Sequence, residues 1–362
     1  MIISRTPFRI SFFGGGTDYH AWYREHGGAV LSTSINRYCY LTCRFLPPFF
    51  KEKSRIIWSR IEGVTDHGDI VHPSVRGVLQ YMGVENGVEI HHMGDLPARS
   101  GLGSSSAFTV GLLNVVYALE RRMAVKKELA QEAIHIEREV LKENVGCQDQ
   151  IATAYGGFNK ITIQQNGDFQ VTPVIAPQAR LEDLQRHLLM FYTGISRNAS
   201  TIAAEQIKAV PNKKAELTAM RELVDEALNM LVSGSDITEF GRLLHETWKL
   251  KRSLTVGISP DFIDEIYDTA RAAGALGGKL LGAGGGGFIL FFAAPEYHDA
   301  IMRTLSNLLV VPFEFETGGS QIVYYDPGTP FPRSLTHRNF HHLQDDAAKL
   351  SPLEAEHNAP QS

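Results

Sequence analysis

Three stretches of this chain combine glycine with hydroxyl or carboxylate side chains in a pattern suited to phosphate chemistry. Pro97-Ala98-Arg99-Ser100-Gly101-Leu102-Gly103-Ser104-Ser105-Ser106-Ala107 lies between a strand-like run and a helical pattern. Its glycines permit close backbone approach, its serines favour a helix start, and a helix N-terminus offers free N–H groups to an anion. The same stretch also reads as a plain turn with an N-cap. FFGGGTDY (12–19) follows one strand-like run and LLGAGGGGF (280–288) precedes another. Two acids complete the set. Asp149 stands in the Gly-bounded segment NVGCQDQIATAYGG, and Glu137 stands in a helical pattern beside Ile134 and Ile136. Phosphoryl transfer needs a positioned acceptor, charge neutralisation and donors around the phosphates. Taken alone, Glu137 reads first as part of a solvated helix face, and Asp149 as a turn or cap residue.

Two other nucleotide-binding patterns fail here. A GxxxxGK[ST] loop ending at Gly278-Lys279 would need glycine at Ala273 and a hydroxyl at Leu280. The run from Gly282 to Gly287 has the letters of a dinucleotide-binding loop, but a strand-like FILFF follows where that loop requires a helix. A tight strand–turn–strand is the natural reading. No His/Cys grouping has zinc-ligand spacing.

The elements that must hold these residues come next. FRISFF (8–13), INRYCYLTC (35–43), RIIWS (55–59) and VEIHH (88–92) read as strands. One helix begins at the serines, and a second runs from Lys126 to Leu141 with Leu129, Ala133, Ile136 and Val140 on one stripe. FNKITI, FQVTPV and HLLMFYTG read as further strands. Helices are expected to start near Asn198, Lys213, Asp236 and Ser259, the last with Pro260 in its first turn. KLL, FILFF, a helix over 295–309, VPFEFE and QIVYY then suggest a second layered sheet, an α+β arrangement. The expected division is 1–190 and 191–326, with 327–362 an extended tail rich in Pro, His and charge.

With 362 residues, 43% hydrophobic, the chain is long enough for about two domains. A formal net charge of −5 without Lys/Arg blocks gives no electrostatic case for nucleic acid or a membrane surface. Cys39, Cys43 and Cys147 form no disulfide framework, which fits a reducing compartment. Arg5 and Arg9 interrupt the apolar start, so neither a signal peptide nor a span is expected there, and a cytoplasmic location is.

The three glycine motifs, TPFRISFFGGGTDY, PARSGLGSSSA and KLLGAGGGGF, occur in the order in which they occur in the GHMP small-molecule kinases, and from about residue 5 to 326 the chain resembles that family. The resemblance implies a two-domain α+β fold, with an N-terminal mixed-sheet and helix domain for ATP and a C-terminal ferredoxin-like domain. It also implies ATP and Mg²⁺ as cofactors. Pro97, Arg99, Ser100, Gly101, Leu102, Gly103, Ser104, Ser105 and Ser106 would wrap the ATP phosphates, with Ser105 and Glu137 facing Mg²⁺. Asp149 matches the family's catalytic aspartate, which orients the acceptor hydroxyl as a positioning group or a general base, and Arg9 matches the basic residue that pairs with it. Gly14, Gly15, Gly16, Thr17, Asp18, Gly284 and Gly285 would contact the substrate.

Within the family, GGGTD together with FYTGISR and HETWKLKRSL is most similar to the branch that phosphorylates the anomeric hydroxyl of a heptose 7-phosphate. Galactokinases carry Gly-Glu-His-Thr-Asp where this chain has Gly14 to Asp18, which argues against galactose. A sugar phosphate needs a cationic seat, and Arg197 or the Lys251-Arg252 pair are the candidates; that pair reads equally as the solvated end of a helix. The expected partners are therefore ATP and a phosphorylated sugar, with no nucleic acid and no membrane, and homodimerisation is left open. Another anomeric sugar kinase, like those of fucose or glucuronate, and a non-catalytic sugar- or nucleotide-binding homologue are the alternatives.

Overall fold

A computed structural model describes residues 1–98, 100–195 and 199–329. The chain begins with β1 (Ile2–Phe13), a short helix α1 (His20–His26) and an 18-residue strand β2 (Gly28–Phe45). β3 (Ser54–Ile57), β4 (Ile61–Val64), α2 (Pro73–Tyr81) and β5 (Val88–Gly94) follow. α3 (Ser104–Leu119) and α4 (Lys126–His135) come next, and α4 passes into a single π-helical turn over Ile136–Val140. α5 (Gln148–Tyr155), β6 (Phe158–Ile163), β7 (Phe169–Pro173), α6 (Gln178–Arg186) and β8 (Leu188–Tyr192) complete the first half.

The second half opens with four helices, α7 (Ala199–Ala209), α8 (Lys214–Ser233), α9 (Thr238–Arg252) and α10 (Asp261–Ala272). β9 (Gly277–Leu280), β10 (Phe288–Phe292), α11 (His298–Thr304), β11 (Leu309–Val310), β12 (Phe315–Glu316) and β13 (Gln321–Tyr325) close it. The expected helix over 295–309 is shorter than its period implied, because Leu309 already enters β11.

The protein has the expected α+β fold with two sheets. The first contains nine strands and is mixed: β3 runs parallel to β5, whereas β1, β2, β5, β6, β7, β12 and β13 pair antiparallel. The second contains four antiparallel strands in the order β11-β8-β10-β9. With one helical crossover after β8 and another after β10, that is the ferredoxin-like arrangement.

The halves do not separate where composition suggested. The boundary at 190 cuts β8, which belongs wholly to the second sheet, while β12 and β13 return to pair with β2 and β1 of the first. Thr6 on β1 shares a 2.8 Å hydrogen bond with Ser320, which also accepts one from Asn114 on α3. Phe240 on α9 meets Phe12 and Phe13 edge-on, with centroids 5.3 and 5.1 Å away, so one apolar core runs through both halves. The three cysteines are buried free thiols. Among the described residues, no helix is long and apolar enough to cross a membrane. The tail beyond residue 329 lies outside the described residues.

Candidate active site

The end of β1 delivers the first functional side chain. Arg9 is almost wholly buried and forks onto Asp149, Nε donating to Oδ1 at 2.8 Å and Nη2 to Oδ2 at 2.7 Å. Its remaining Nη1 donates to the Gly101 carbonyl at 2.7 Å, and its backbone N–H to the Leu102 carbonyl at 3.0 Å. One guanidinium thus fixes the aspartate to the serine–glycine loop, a planar two-point recognition that lysine cannot supply. Asp149 sits in the first turn of α5, where the helix dipole favours an anion. About a quarter of its side chain is open to solvent.

Opposite stands the start of α3. Gly103 caps it at φ +74°, and a Cβ there would lie 3.2 Å from the Arg9 side chain and 3.5 Å from the Asp149 carboxylate. Only glycine meets both demands. A cavity of about 220 Å³ lies between the two helix N-termini. Arg9, Gly101, Gly103, Ser104, Ser105 and Ser106 line it from one side and Asp18, Gly15, Gly16 and Asp149 from another.

The remaining expected site residues divide. Thr17 is buried, its single hydroxyl proton shared between the Gly14 and Ala29 carbonyls at 2.7 and 2.9 Å, which holds the first glycine loop closed. Gly14 packs so closely on Ala29 that a Cβ would lie 1.9 Å from its carbonyl oxygen. Neither lines the cavity. Leu102 is a core residue, Ser100 is buried behind the loop and Pro97 is exposed, all away from the cavity wall. Gly284 and Gly285 turn onto Ile258, Gly285 donating to its carbonyl at 2.9 Å, and the cavity is lined instead by Gly282 and Ala283. Arg99 and Arg197 lie outside the described residues.

Glu137 corrects the reading as a solvated helix residue, because it is fully buried. Its Oε2 accepts from Ser106 Oγ at 3.0 Å and from Gln150 Nε2 at 2.6 Å, while buried Oε1 has no partner. Burial, then the charge of Glu143, raises its pKa to about 7. The serine against Glu137 is therefore Ser106, whereas Ser105 stands exposed at the cavity. A signal for this burial was present, since Ala130, Ala133 and Glu137 repeat at i, i+3 and i+7 and both alanines are buried. A buried carboxylate with an unpartnered oxygen, beside a serine at the N-terminus of α3, fits a hard divalent cation that takes its other ligands from phosphates. Among the described residues, no group of three or more His, Cys, Asp or Glu side chains is placed to hold a metal by itself.

Asp18 is also buried. It accepts from Gly16 N at 2.9 Å and Gln148 N at 3.3 Å, and burial followed by the charge of Asp149 raises its pKa. Two lysines complete the wall. Lys251, one of the candidates for a cationic seat, is buried and points into the cavity, whereas Arg252 pairs with Asp264 at 2.5 Å and is not among the cavity-lining residues. Lys279, the lysine of the incomplete GxxxxGK pattern, is also buried in this wall. Tyr19 and Gln206 close the far side, with Tyr19 donating to Gln206 and Gln206 Nε2 donating to the Ala283 carbonyl at 2.6 Å.

The glycine-rich start of α3 faces a fixed carboxylate across one cavity, a geometry that suits phosphoryl transfer to an alcohol acceptor. Models of the GHMP kinases N terminal domain and of the GHMP kinases C terminal region match residues 69–157 and 215–309, together about half of the chain. The chain is 28% identical over 320 residues to D-glycero-alpha-D-manno-heptose 7-phosphate kinase of Campylobacter jejuni, covering 84% of this chain and 93% of that protein. It is 31% identical over 230 residues to L-fucokinase/L-fucose-1-P guanylyltransferase of Bacteroides fragilis, 61% of this chain but only 24% of that longer protein. The solved structure of a D-glycero-D-manno-heptose 1-phosphate kinase from Bacteroides thetaiotaomicron superposes with a TM-score of 0.72 at 26% identity, covering 90% of this chain and all of that one. The chain belongs to the GHMP kinases, and within them it is a sugar kinase.

Proposed function

We propose that the enzyme transfers the γ-phosphoryl group of ATP to the anomeric C1 hydroxyl of D-glycero-D-manno-heptose 7-phosphate. The product is the 1,7-bisphosphate, an intermediate for nucleotide-activated heptose made in the cytoplasm. The observation that carries the reading is the Arg9–Asp149 fork facing the N-terminus of α3 across one cavity. Two relatives named as heptose phosphate kinases, each covering more than four fifths of the chain, support the substrate class.

In this reading the backbone N–H groups of Gly101 and Gly103 to Ser106 hold the ATP phosphates at the positive end of α3. The cavity is smaller than a typical whole-ligand pocket, so it takes the reacting ends of both substrates while their bulk extends outward. Glu137, with Ser106 and Ser105, would hold Mg²⁺, whose chemistry is to offset phosphate charge. Asp149 accepts the hydrogen bond of the C1 hydroxyl and receives its proton as the oxygen attacks phosphorus. Arg9 keeps that carboxylate aimed into the cavity, and Asp18 accepts from a neighbouring sugar hydroxyl.

An ADP-release panel of sugars and sugar phosphates tests this, with Asp149→Asn as control. Turnover is expected with heptose 7-phosphate and not with unphosphorylated heptose, fucose or glucuronate. Asparagine cannot take the proton, so kcat should fall by about 10²- to 10⁴-fold. Faster turnover of fucose would replace the heptose reading with the one its 31% identical relative favours.

A further inference from the structure

Lys251 stands at the last turn of α9, and its ammonium is fixed by two carbonyls of the third glycine segment, Leu280 O at 2.8 Å and Gly282 O at 2.5 Å. That segment lies directly on the serine–glycine loop. A Cβ on Gly101 would stand 2.5 Å from Leu281 O, and one on Gly282 would stand 2.4 Å from the Gly101 Cα. Gly101 is also the residue whose carbonyl holds Arg9. The ammonium is thus anchored against the base of the phosphate loop, beside the guanidinium that aims Asp149. An ammonium has three donors, and two are used here. Among the described residues, no carboxylate pairs with Lys251.

A buried cation held only by neutral carbonyls lacks a compensating charge. Burial, then the charge of Arg9, accordingly lowers its pKa to about 7. The missing anion must arrive with a substrate. The far phosphate of a heptose is separated from its C1 hydroxyl by the length of the sugar, whereas Lys251 is anchored against Gly101, whose carbonyl holds the Arg9 that pairs with Asp149. Asp149, Gly101 and Lys251 line the same cavity, and in the kinase reading the phosphoryl group in flight crosses between Asp149 and the loop at Gly101.

We propose that Lys251 is a catalytic residue whose free N–H donates to the equatorial oxygens of the transferred phosphoryl group. The acceptor oxygen forms its bond to phosphorus as the bond from phosphorus to the β,γ-bridging oxygen breaks. The hydroxyl proton goes to Asp149, and the electron pair of the broken bond stays on ADP. Charge spread over the three equatorial oxygens meets a cation already oriented by Leu280 and Gly282. This assignment rests on the kinase reading but not on the identity of the sugar.

The test uses the full chain and whichever acceptor the panel shows to be turned over. Lys251→Met should lower kcat by about 10²- to 10³-fold, the loss typical of one transition-state donor, with KM for the acceptor within about twofold. Binding of ADP with aluminium fluoride and the acceptor, which mimics the transferred phosphoryl, should weaken by a similar factor while binding of ADP alone is kept. Lys251→Arg should recover part of both losses. Should Lys251→Met fail to fold, Lys251→Gln, which keeps a donor for the carbonyls without the charge, serves for the same two measurements. A selective rise in acceptor KM at unchanged kcat would make Lys251 a substrate seat and overturn the proposal, as would an unchanged affinity for the aluminium fluoride complex. Turnover of a sugar other than heptose 7-phosphate would refute the substrate reading and leave these arms intact.

Discussion

At the scale of single residues, the cavity wall pairs Arg9 with Asp149 but holds one buried ammonium that, among the described residues, no carboxylate faces. That ammonium belongs to Lys251. Its pKa falls to about 7 in the folded protein through burial and Arg9, against an ordinary 10.5 in an unfolded chain. Between these values the unfolded state binds more protons, so this group's contribution to stability rises with pH. The destabilisation is full below about 7 and eases as pH climbs toward 10.5. In the substrate-free enzyme, Lys251→Met removes that penalty, so its stability advantage over the parent should be greatest at pH 6.5 and shrink steadily by pH 9. Urea unfolding of both proteins across that range measures the gap. A gap that does not change with pH would mean that the ammonium is solvated and compensated.

At the scale of elements, short segments set the reacting geometry. The π-helical turn after α4 carries Glu137 inward, a device often seen at functional sites. The loop that follows it leads to α5 through Gly146, where a Cβ would stand 1.7 Å from Oδ2 of Asp18. That carboxylate is held by two backbone N–H groups and cannot retreat without leaving them unpaired. Gly146→Ala should therefore cost about 1–3 kcal/mol of stability and raise the acceptor KM by about tenfold. Nucleotide affinity should be retained, because the α3 loop is untouched. Titration with each substrate separately reads the split, and equal weakening of both would show that Gly146 serves the whole cleft.

For the whole molecule, the first sheet is completed by strands from the far end of the chain. β12 and β13 pair with β2 and β1, Ser320 ties β1 to α3, and Phe240 caps Phe12 and Phe13. A fragment of residues 1–190 would keep the serine–glycine loop and Asp149, yet lose β13 from the edge of β1 and leave β8 without β10 and β11. It should show no cooperative thermal transition and no near-ultraviolet circular dichroism of a packed core. A sharp transition in that fragment would show that the first half folds independently.

The sequence by itself determined the glycine motifs, most strands and the helices that begin near the serines, Lys213, Asp236 and Ser259, because period and turn chemistry are local properties. α1, α2, α5 and α6 have seven to nine residues each, too few turns for a helical period to stand out in the sequence. The family resemblance already implied the Arg9–Asp149 pair, which closes across 140 positions. Only the tertiary structure put Ser106 rather than Ser105 against Glu137 and turned Gly284 and Gly285 onto Ile258. It also buried Lys251 and Lys279 and sent β12 and β13 back to the first sheet. The physical reason is that burial and charge pairing are settled by the packing of distant elements, and no window along the chain contains both partners.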